Sequence, residues 1–491
     1  MYWGFNHYFE LMSLINAIFV LYLIILIIIG LWTFRLTKNQ EDYILAGRKL
    51  GPWVTAFSER ASSESAWLLL GLPGAVIIIG LGEIWTVIGI IFGIVISWNL
   101  IAEKLRIETE KYNALTIPEY LHRKYDDKTN TIRLFSSFII AFFFLFYVSA
   151  QFHATGKVLF SLFGLDPIYG ISIGAIIIVS YTIMGGFFAV AWTDLAQGIL
   201  MLGTLVILPI TGLVELYNAE KAIFDFEQAD LVFQNNNQSM FSNKTGIESL
   251  IYVIGGLSWG LGYLGQPHLL IRYMAIRNFK DVRLAKKIAI SWAVPGILGA
   301  FLIGLIGSSY FGAEFFEIND PEQVMPLLAS SLLHPVLAGL FISGAIAAIM
   351  STADSQLLVA SSAIVQDFIH EYLGFSLTPK GSVNLSRIMI ILLGLLAYMI
   401  ALYSQYSDRN IFGVVSYAWS GLGSAFGPVI LLTLWWKGTT KNGVLAGLVT
   451  GFTTTVVWAN IDILKYLVSE RFSSFIFALL AVYFFSKKDD L

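Results

Sequence analysis

Long apolar runs constrain this chain more than any other feature. A helix of about 20 apolar residues is long enough to cross the hydrocarbon core of a bilayer. The chain contains thirteen runs of about that length or longer, so we predict thirteen membrane spans. They lie at 9–34, 51–79, 83–103, 132–162, 167–185, 188–214, 247–271, 286–312, 327–366, 386–405, 411–436, 443–461 and 467–486. The ninth is too long for one straight crossing, so we expect a kink or an extramembrane extension there.

The composition excludes a soluble protein. Apolar residues make up 57% of the chain and charged residues only 13%, whereas soluble domains carry about 25% charged residues. The net charge of −3 gives no indication of nucleic-acid binding, and the absence of cysteine excludes disulfides, thiolate metal sites and cysteine nucleophiles. The six histidines have no metal-binding spacing. We therefore expect an all-α integral membrane protein that transports a solute and is not an enzyme.

The distribution of lysine and arginine predicts the orientation. Most of the 30 basic residues fall in the loops after the first, third, seventh, ninth and eleventh spans and at the C-terminus. The positive-inside rule places these loops in the cytoplasm, with the N-terminus outside and the C-terminus inside. The first segment lacks the basic n-region and cleavage site of a signal peptide, so we expect it to be a span. Basic residues near the ends of the apolar runs are counted with the adjoining loops, and Arg272 is counted with the loop after the seventh. Arg60 is then the one basic residue placed within a span.

Two spans have the composition of interrupted helices. The second contains a polar run at 58–67 followed by Gly-Leu-Pro-Gly at 71–74, and the seventh is rich in glycine at 255–265 before Pro267. Interruptions within a membrane are tolerated where they line a protein cavity. Two of them five spans apart indicate an inverted five-helix repeat with a solute site between the breaks. The alternative is that glycine and serine only allow close helix packing.

The ninth span carries a further polar segment at 347–356. Adjacent hydroxyls of Ser351 and Thr352, with small Ala348 nearby, offer the oxygen ligands that a hard cation such as sodium prefers. Serine and threonine in helices also bond to their own backbone four residues earlier, and this alternative stays open.

At these segments the sequence resembles the sodium/solute symporter family, and in particular its sodium/proline symporter branch. The resemblance covers about 90% of the chain. It is carried by the segments 42–48, 71–76, 114–120, 185–187, 192–194, 259–268, 350–352, 416–419 and 426–428.

The resemblance implies a leucine-transporter-type fold with two inverted five-helix repeats, spans 2–6 and 7–11. The first repeat would then occupy 51–214 and the second 247–436. Extra helices would lie at 1–40 and 443–491, and all four segments would form a single transporter domain.

The resemblance also implies two sites. The implied sodium ligands are the carbonyls of Ala61, Glu64 and Ala348 and the hydroxyls of Ser351 and Thr352. The implied proline pocket consists of Trp67, Tyr147, Trp259, Tyr263 and Pro267. A box of aromatic side chains suits proline, because the pyrrolidine ring of proline is apolar and its ammonium group can lie over an aromatic face. The structural alternative is that these aromatic residues only fill the core.

This chain departs from the branch at the second span. Ser63 stands where the branch has an aspartate, and the acid is the next residue, Glu64. Charges within spans are costly and usually pair, so we expect Arg60 to pair with Glu59, Glu64 or Asp354. Asp194, in the Trp-Thr-Asp motif, is a candidate for the ion path, or an interhelical hydrogen-bonding group.

The resemblance implies sodium-coupled import of L-proline by a multi-pass protein of the bacterial inner membrane, with no obligate protein partner. The alternatives are another small carboxylated solute, a rewired sodium site, or proton coupling through one of the carboxylates Glu59, Glu64 and Asp354. A transporter-like sensor is a remote alternative, because no signalling domain is expected.

Overall fold

The computed structural model describes residues 14–29, 40–221, 238–312, 314–406 and 410–486. Within these ranges the regular structure is helical, apart from one isolated bridge between Leu50 and Ile276. The predicted all-α architecture is therefore confirmed. Much of the predicted loop at 215–246 and both ends of the predicted first span lie outside the described residues.

The first half of the chain forms helices α1 to α10. Their bounds are Leu14–Ile29 (α1), Gln40–Leu45 (α2), Pro52–Ser63 (α3), Leu72–Ile79 (α4), Ile84–Leu100 (α5), Ala102–Lys111 (α6), Ile117–Lys124 (α7), Thr131–Phe163 (α8), Pro167–Met184 (α9) and Phe187–Asn218 (α10). A wider helical turn, Trp67–Gly71, leads into α4. Gly80 ends α4 with a φ of 77°, a backbone conformation that favours glycine. The chain turns there, at the predicted boundary between the second and third spans.

The second half forms helices α11 to α22. Their bounds are Ile247–Leu257 (α11), Trp259–Gly262 (α12), Pro267–Ala275 (α13), Asp281–Phe311 (α14), Phe315–Ile318 (α15), Val324–Leu332 (α16), Pro335–Ser362 (α17), Pro379–Gln405 (α18), Ile411–Trp435 (α19), Lys441–Asn460 (α20), Asp462–Leu467 (α21) and Glu470–Ser486 (α22). The overlong ninth run is divided between α16 and α17 at Leu333 and His334, because Pro335 starts a new helix. The expected interruption of this run is confirmed.

Within the described residues, nine helical stretches are long and apolar enough to cross a membrane. The stretches Ile247–Gly262 and Pro267–Ala275, bent by 43° at their junction, make a tenth if they form one span. Helix α1 is apolar but shorter than these. The total of thirteen spans stays a prediction.

Both predicted helix interruptions are present. Helix α3 ends at Ser63, and the helical course resumes only at Trp67. In the seventh span, α12 ends at Gly262 and α13 begins at Pro267. Glycine also serves close packing here, because a Cβ on Gly260 would lie 2.2 Å from the Gly89 carbonyl oxygen of α5. Gly260 therefore allows close helix packing, as the alternative interpretation expected, and the span is also interrupted.

The two interrupted spans are surrounded by other helices. Helix α3 packs against α10, α14 and α17, and α12 packs against α5 and α19. Almost every residue of α17 from Phe341 to Ser362 is buried. Polar side chains on α3 and α17 therefore face other helices rather than the surroundings, and they need partners within the protein.

Candidate functional site

The end of α3 meets the middle of α17 through hydroxyl and carbonyl oxygens. The Ser351 hydroxyl donates to the Ala61 carbonyl at 2.9 Å and lies 3.1 Å from the Ala348 carbonyl. The Thr352 hydroxyl donates to the Ser62 carbonyl at 3.1 Å. All five residues are fully buried. The structure thus brings four of the five predicted sodium ligands together and adds one carbonyl that the sequence did not identify.

This oxygen cluster fits the chemistry of sodium. Its members are neutral carbonyls and hydroxyls, the ligands that a hard monovalent cation accepts. They come from two helices in different halves of the chain, so a bound cation would link those halves. Glu64, the fifth predicted ligand, lies just beyond α3, and its side chain contacts Arg60, Ser63 and Tyr263.

Arg60 lies in a buried acidic cluster at the same break. Its guanidinium bonds to both Glu59 oxygens, through Nε at 2.7 Å and through a very short contact from Nη2. Nη1 donates to Glu64 Oε1 at 2.7 Å. The expected pairing with Glu59 and Glu64 is confirmed. The expectation included Asp354, but Asp354 interacts with Ser355 at 3.2 Å instead.

Arg272 forms a second buried ion pair, and its assignment to a loop was wrong. It lies in α13, fully buried, and its Nη2 is 3.0 Å from Asp194 Oδ2. The same Asp194 oxygen accepts from Ser58 at 2.6 Å and from Ser62 at 3.1 Å. The sequence placed Arg272 in a loop because the apolar run ends just before it. In the structure, α13 packs against α3, and the pairing with Asp194 compensates the charge of Arg272 in the protein interior.

Ser62 connects this ion pair to the oxygen cluster. Its hydroxyl lies 3.1 Å from the Ser351 carbonyl and 3.0 Å from the Ser355 hydroxyl, and it also accepts from Arg272 at 2.7 Å. Ser62 is therefore the single side chain that lies between Asp194 and the predicted sodium ligands. Its interhelical hydrogen bonds agree with both interpretations that the sequence left open.

Aromatic rings gather on the other side of the break. The rings of Trp67 and Trp259 stack with centroids 5.6 Å apart, and Tyr263 meets Trp419 edge-on at 4.7 Å. The Tyr147 ring lies 6.4 Å from Trp419. Each of these five side chains is at most 1% exposed. We call them the aromatic cluster. It contains four of the five residues predicted for the proline pocket.

The fifth, Pro267, has different surroundings. It begins α13 and lines a small cavity with Ile117, Pro118 and Ile140. Its neighbour His268 has the ring that approaches Tyr147, at 6.2 Å. Pro267 thus stands at the helix break next to the cluster.

Trp419 is the main residue that sequence reasoning missed. It is central to the aromatic cluster, and its Nε1 donates to the Trp259 carbonyl at 3.0 Å. That carbonyl lies at the start of the short helix α12. The sequence did contain a signal, since Trp419 belongs to a segment that carried the family resemblance. No helix break lies beside it, so it was not assigned to the pocket.

Two buried amides fix the broken backbone. Gln151 Oε1 accepts from the Ala66 N–H at 3.1 Å, and Gln266 Nε2 donates to the Trp419 carbonyl at 2.9 Å. Backbone groups released from helical bonding must find partners inside a membrane protein. Gln151 supplies such a partner for Ala66 in the first break, and Gln266 joins the second break to α19. The sequence analysis singled out neither side chain.

One end of the aromatic cluster is covered by charged residues. The Arg471 guanidinium lies 4.7 Å from the centre of the Trp259 ring, and Phe412 covers the same tryptophan at 4.8 Å. The Glu322 carboxylate accepts from the N–H groups of Ile411 and Phe412, each at 3.2 Å, and pairs with Lys157. Glu322 therefore anchors the start of α19, where a helix N-terminus favours an anion.

With this geometry described, the chain can be compared with known proteins. The model of the Sodium:solute symporter family matches residues 43–451. The chain belongs to this family. Its members are transporters, so the coarse expectation of a membrane transporter is confirmed.

Two curated relatives match nearly the whole chain. A high-affinity proline transporter of Bacillus subtilis (strain 168) is 39% identical over 462 residues, which cover 94% of this chain and 95% of that protein. A sodium/proline symporter of Escherichia coli (strain K12) is 37% identical over 473 residues, covering 95% and 92%. The resemblance to the proline branch is thereby confirmed.

Solved structures agree on the fold. A substrate-bound, outward-open Na⁺-coupled sialic acid symporter aligns with a TM-score of 0.75 at 18% identity, covering 96% of this chain and 97% of that one. MhsT, solved in complex with L-phenylalanine, aligns with a TM-score of 0.55 at 15% identity, covering 88% of this chain and 98% of that one. The predicted leucine-transporter-type fold is confirmed, while the residue limits of the repeats stay predictions.

Proposed function

We propose that this protein imports L-proline together with sodium by alternating access. The observation that carries the proposal is the meeting of two groups at one helix break. Ala61 and Ser351 bring hydroxyl and carbonyl oxygens together on one side, and Trp67 and Trp259 stack on the other. Relatives named as proline transporters or sodium/proline symporters support the choice of solute and ion.

The coupling follows from this arrangement. Sodium bound between Ala61, Ala348, Ser351 and Thr352 would hold α3 against α17 and so favour one conformation of the break. Proline bound at Trp67 would be favoured by the same conformation. Each ligand then raises the affinity for the other by an equal factor, as linkage requires. Movement of the two repeats would release both ligands into the low-sodium cytoplasm.

The aromatic cluster suits an imino acid. Its rings offer apolar faces for a pyrrolidine ring, and the Tyr147 and Tyr263 hydroxyls are hydrogen-bonding groups for a carboxylate or ammonium group. The rings now contact one another, so proline entry requires Trp67 and Trp259 to separate. Anchoring of α19 by Glu322 places Phe412 over this point, which suits α19 to a gating role.

The proposed location is the bacterial inner membrane, with the N-terminus outside and the C-terminus in the cytoplasm. The distribution of basic residues supports this orientation. In that orientation Arg471, Glu322 and the start of α19 face the periplasm. Proline would then enter from the side on which Phe412 covers Trp259.

Counterflow in liposomes tests the proposal. Purified protein is reconstituted, loaded with unlabelled proline, and assayed for uptake of labelled proline with and without a sodium gradient. We expect accumulation that depends on sodium. Accumulation driven by a pH gradient alone would indicate proton coupling, and accumulation of another carboxylated solute but not proline would reassign the substrate.

A further inference from the structure

The cluster of Glu59, Arg60 and Glu64 contains one more negative than positive charge. Both Glu59 oxygens bond to Arg60, and Oε2 also accepts from Trp98 Nε1 at 3.0 Å. Glu59 and Arg60 thus form a doubly bonded neutral pair. Glu64 contacts the remaining guanidinium nitrogen, so its charge is the surplus one. All three side chains are fully buried, where an uncompensated carboxylate is costly.

Two polar atoms beside this charge have no hydrogen-bond partner other than each other. They are Glu64 Oε2 and the Tyr263 hydroxyl, both buried. The other Glu64 oxygen is occupied by Arg60 at 2.7 Å and Ser63 at 3.2 Å. The Tyr263 ring lies 5.6 Å from the Arg60 guanidinium, and its hydroxyl lies beside Glu64. Buried polar groups without partners are rare, and a ligand is one explanation.

These atoms lie at the aromatic cluster. Tyr263 meets Trp419 at 4.7 Å, and Ser65, the residue after Glu64, lies 3.4 Å from the Tyr147 hydroxyl. The free acceptors therefore border the rings between which the proposed substrate binds. The predicted sodium ligands Ser351 and Thr352 instead bond to the carbonyls of Ala61 and Ser62, two to three residues before Glu64.

We propose that Glu64 Oε2 and the Tyr263 hydroxyl bind the cationic ammonium group of the transported imino acid. The inference rests on the proposed function and names the group that selects the substrate. The secondary ammonium of proline has two N–H donors, one for Glu64 Oε2 and one for the hydroxyl oxygen of Tyr263. Its charge compensates the surplus charge of Glu64.

Glu59 provides a matched control. Glu59→Gln and Glu64→Gln both remove one carboxylate charge next to Arg60, but only Glu64 has an oxygen free for a ligand. Tyr263→Phe removes the second acceptor and keeps the ring. The probes are labelled proline and tetrahydrofuran-2-carboxylate, an unlabelled competitor with the same ring size and carboxylate but an ether oxygen in place of the ammonium.

Sodium-driven uptake into proteoliposomes gives the readout. In the unchanged protein we expect proline to be preferred over the ether analogue. Glu64→Gln should raise the KM for proline about 10- to 100-fold, because a charge-assisted hydrogen bond in a buried site is lost. It should also reduce the preference over the analogue. Tyr263→Phe should raise the KM several-fold, and Glu59→Gln should raise it less than Glu64→Gln does.

Other outcomes overturn the inference. An unchanged KM and unchanged selectivity in Glu64→Gln would remove Glu64 from substrate binding. A shift in the half-saturating sodium concentration without a shift in the proline KM would make Glu64 an ion ligand, and loss of a pH-driven component would make it a proton site. If Glu64→Gln does not fold, Tyr263→Phe with unchanged KM and selectivity overturns the inference. Failure of the proposed function is distinct, because the unchanged protein would then show no sodium-driven proline uptake.

Discussion

The Ser351 hydroxyl on α17 donates a 2.9 Å hydrogen bond to the Ala61 carbonyl at the end of α3, across 290 positions of sequence. The bond joins the two halves of the chain at a helix interruption. An ion that coordinated the hydroxyl oxygen and the carbonyl oxygen in place of this hydrogen bond would be held by both halves at once. The relative movement of the halves would then depend on that ion.

Removing either hydroxyl from this cluster should weaken sodium binding. Ser351→Ala or Thr352→Ala should raise the half-saturating sodium concentration for uptake about tenfold, equivalent to about 1.4 kcal/mol, because a ligand oxygen is lost. Ser343→Ala is the control, since Ser343 on the same helix bonds to its own Gly339 carbonyl at 2.7 Å. Unchanged sodium dependence in both variants would exclude this site.

Loss of an aromatic ring should affect proline more than sodium. Trp259→Ala should weaken proline binding about fivefold or more, because Trp259 contacts Trp67, Phe412 and Trp419 in a buried cluster. Trp53→Ala, at a tryptophan that is 58% exposed, should have little effect. Scintillation proximity binding measures both ligands. Equal weakening of both would make Trp259 a packing residue.

Arg60 should matter more for stability than either acid alone. Arg60→Met leaves both Glu59 and Glu64 buried without a cation, a change that costs about 3–5 kcal/mol for a broken buried pair. Glu64→Gln keeps the Glu59–Arg60 pair and should be tolerated better. Fluorescence-detected size-exclusion melting curves compare the two variants. Equal melting temperatures of the two variants would show that the protein does not need Arg60 to compensate the charge of Glu59.

Glu322 should hold the start of α19 in the position in which Phe412 covers Trp259. The chain has no cysteine, so Phe412→Cys introduces a single reactive thiol at this point. Adding Glu322→Gln should speed labelling by a membrane-impermeant maleimide several-fold, because the bonds to Phe412 N–H and Lys157 weaken. Adding Glu317→Gln instead, at an exposed acid of the same loop, should not. Equal labelling rates would assign Glu322 no part in closure.

Asp127 should give the protein an acid-sensitive contribution to stability. Burial alone would raise the pKa of Asp127, but bonds from Lys441, the Ile132 N–H and Thr129 outweigh it and hold the pKa below its usual 3.8. A lowered pKa stabilises the folded state above the unfolded value, and this stabilisation is lost as the pH falls through the folded value. The melting temperatures of the unchanged protein and Asp127→Asn should therefore differ at pH 7 and converge below pH 3.8. Asp126→Asn, at an exposed neighbour, is the control. A difference in melting temperature that persists in acid would exclude the negative charge of Asp127 as its cause.

Much of the fold was predictable because its signals are local. The polar run around Ser63 and the glycines before Pro267 marked both helix breaks, since a helix cannot continue normally through such segments. Adjacent Ser351 and Thr352 marked the oxygen cluster because neighbouring hydroxyls are visible in sequence. The aromatic residues of the pocket were found through the family motifs. Trp419 also lies in such a motif, but it was left out because no helix break lies beside it.

The sequence by itself determined the apolar segments, their two interruptions and the kinds of side chain at each interruption, because these depend on neighbours a few residues apart. Only the tertiary structure decided the partners. Arg272 pairs with Asp194 across 78 positions, and Arg60 bonds to Glu59 and Glu64 rather than Asp354. Such pairings depend on which helices lie side by side and which faces they present. A buried charge takes the partner that packing brings within reach, and packing is a property of the whole chain.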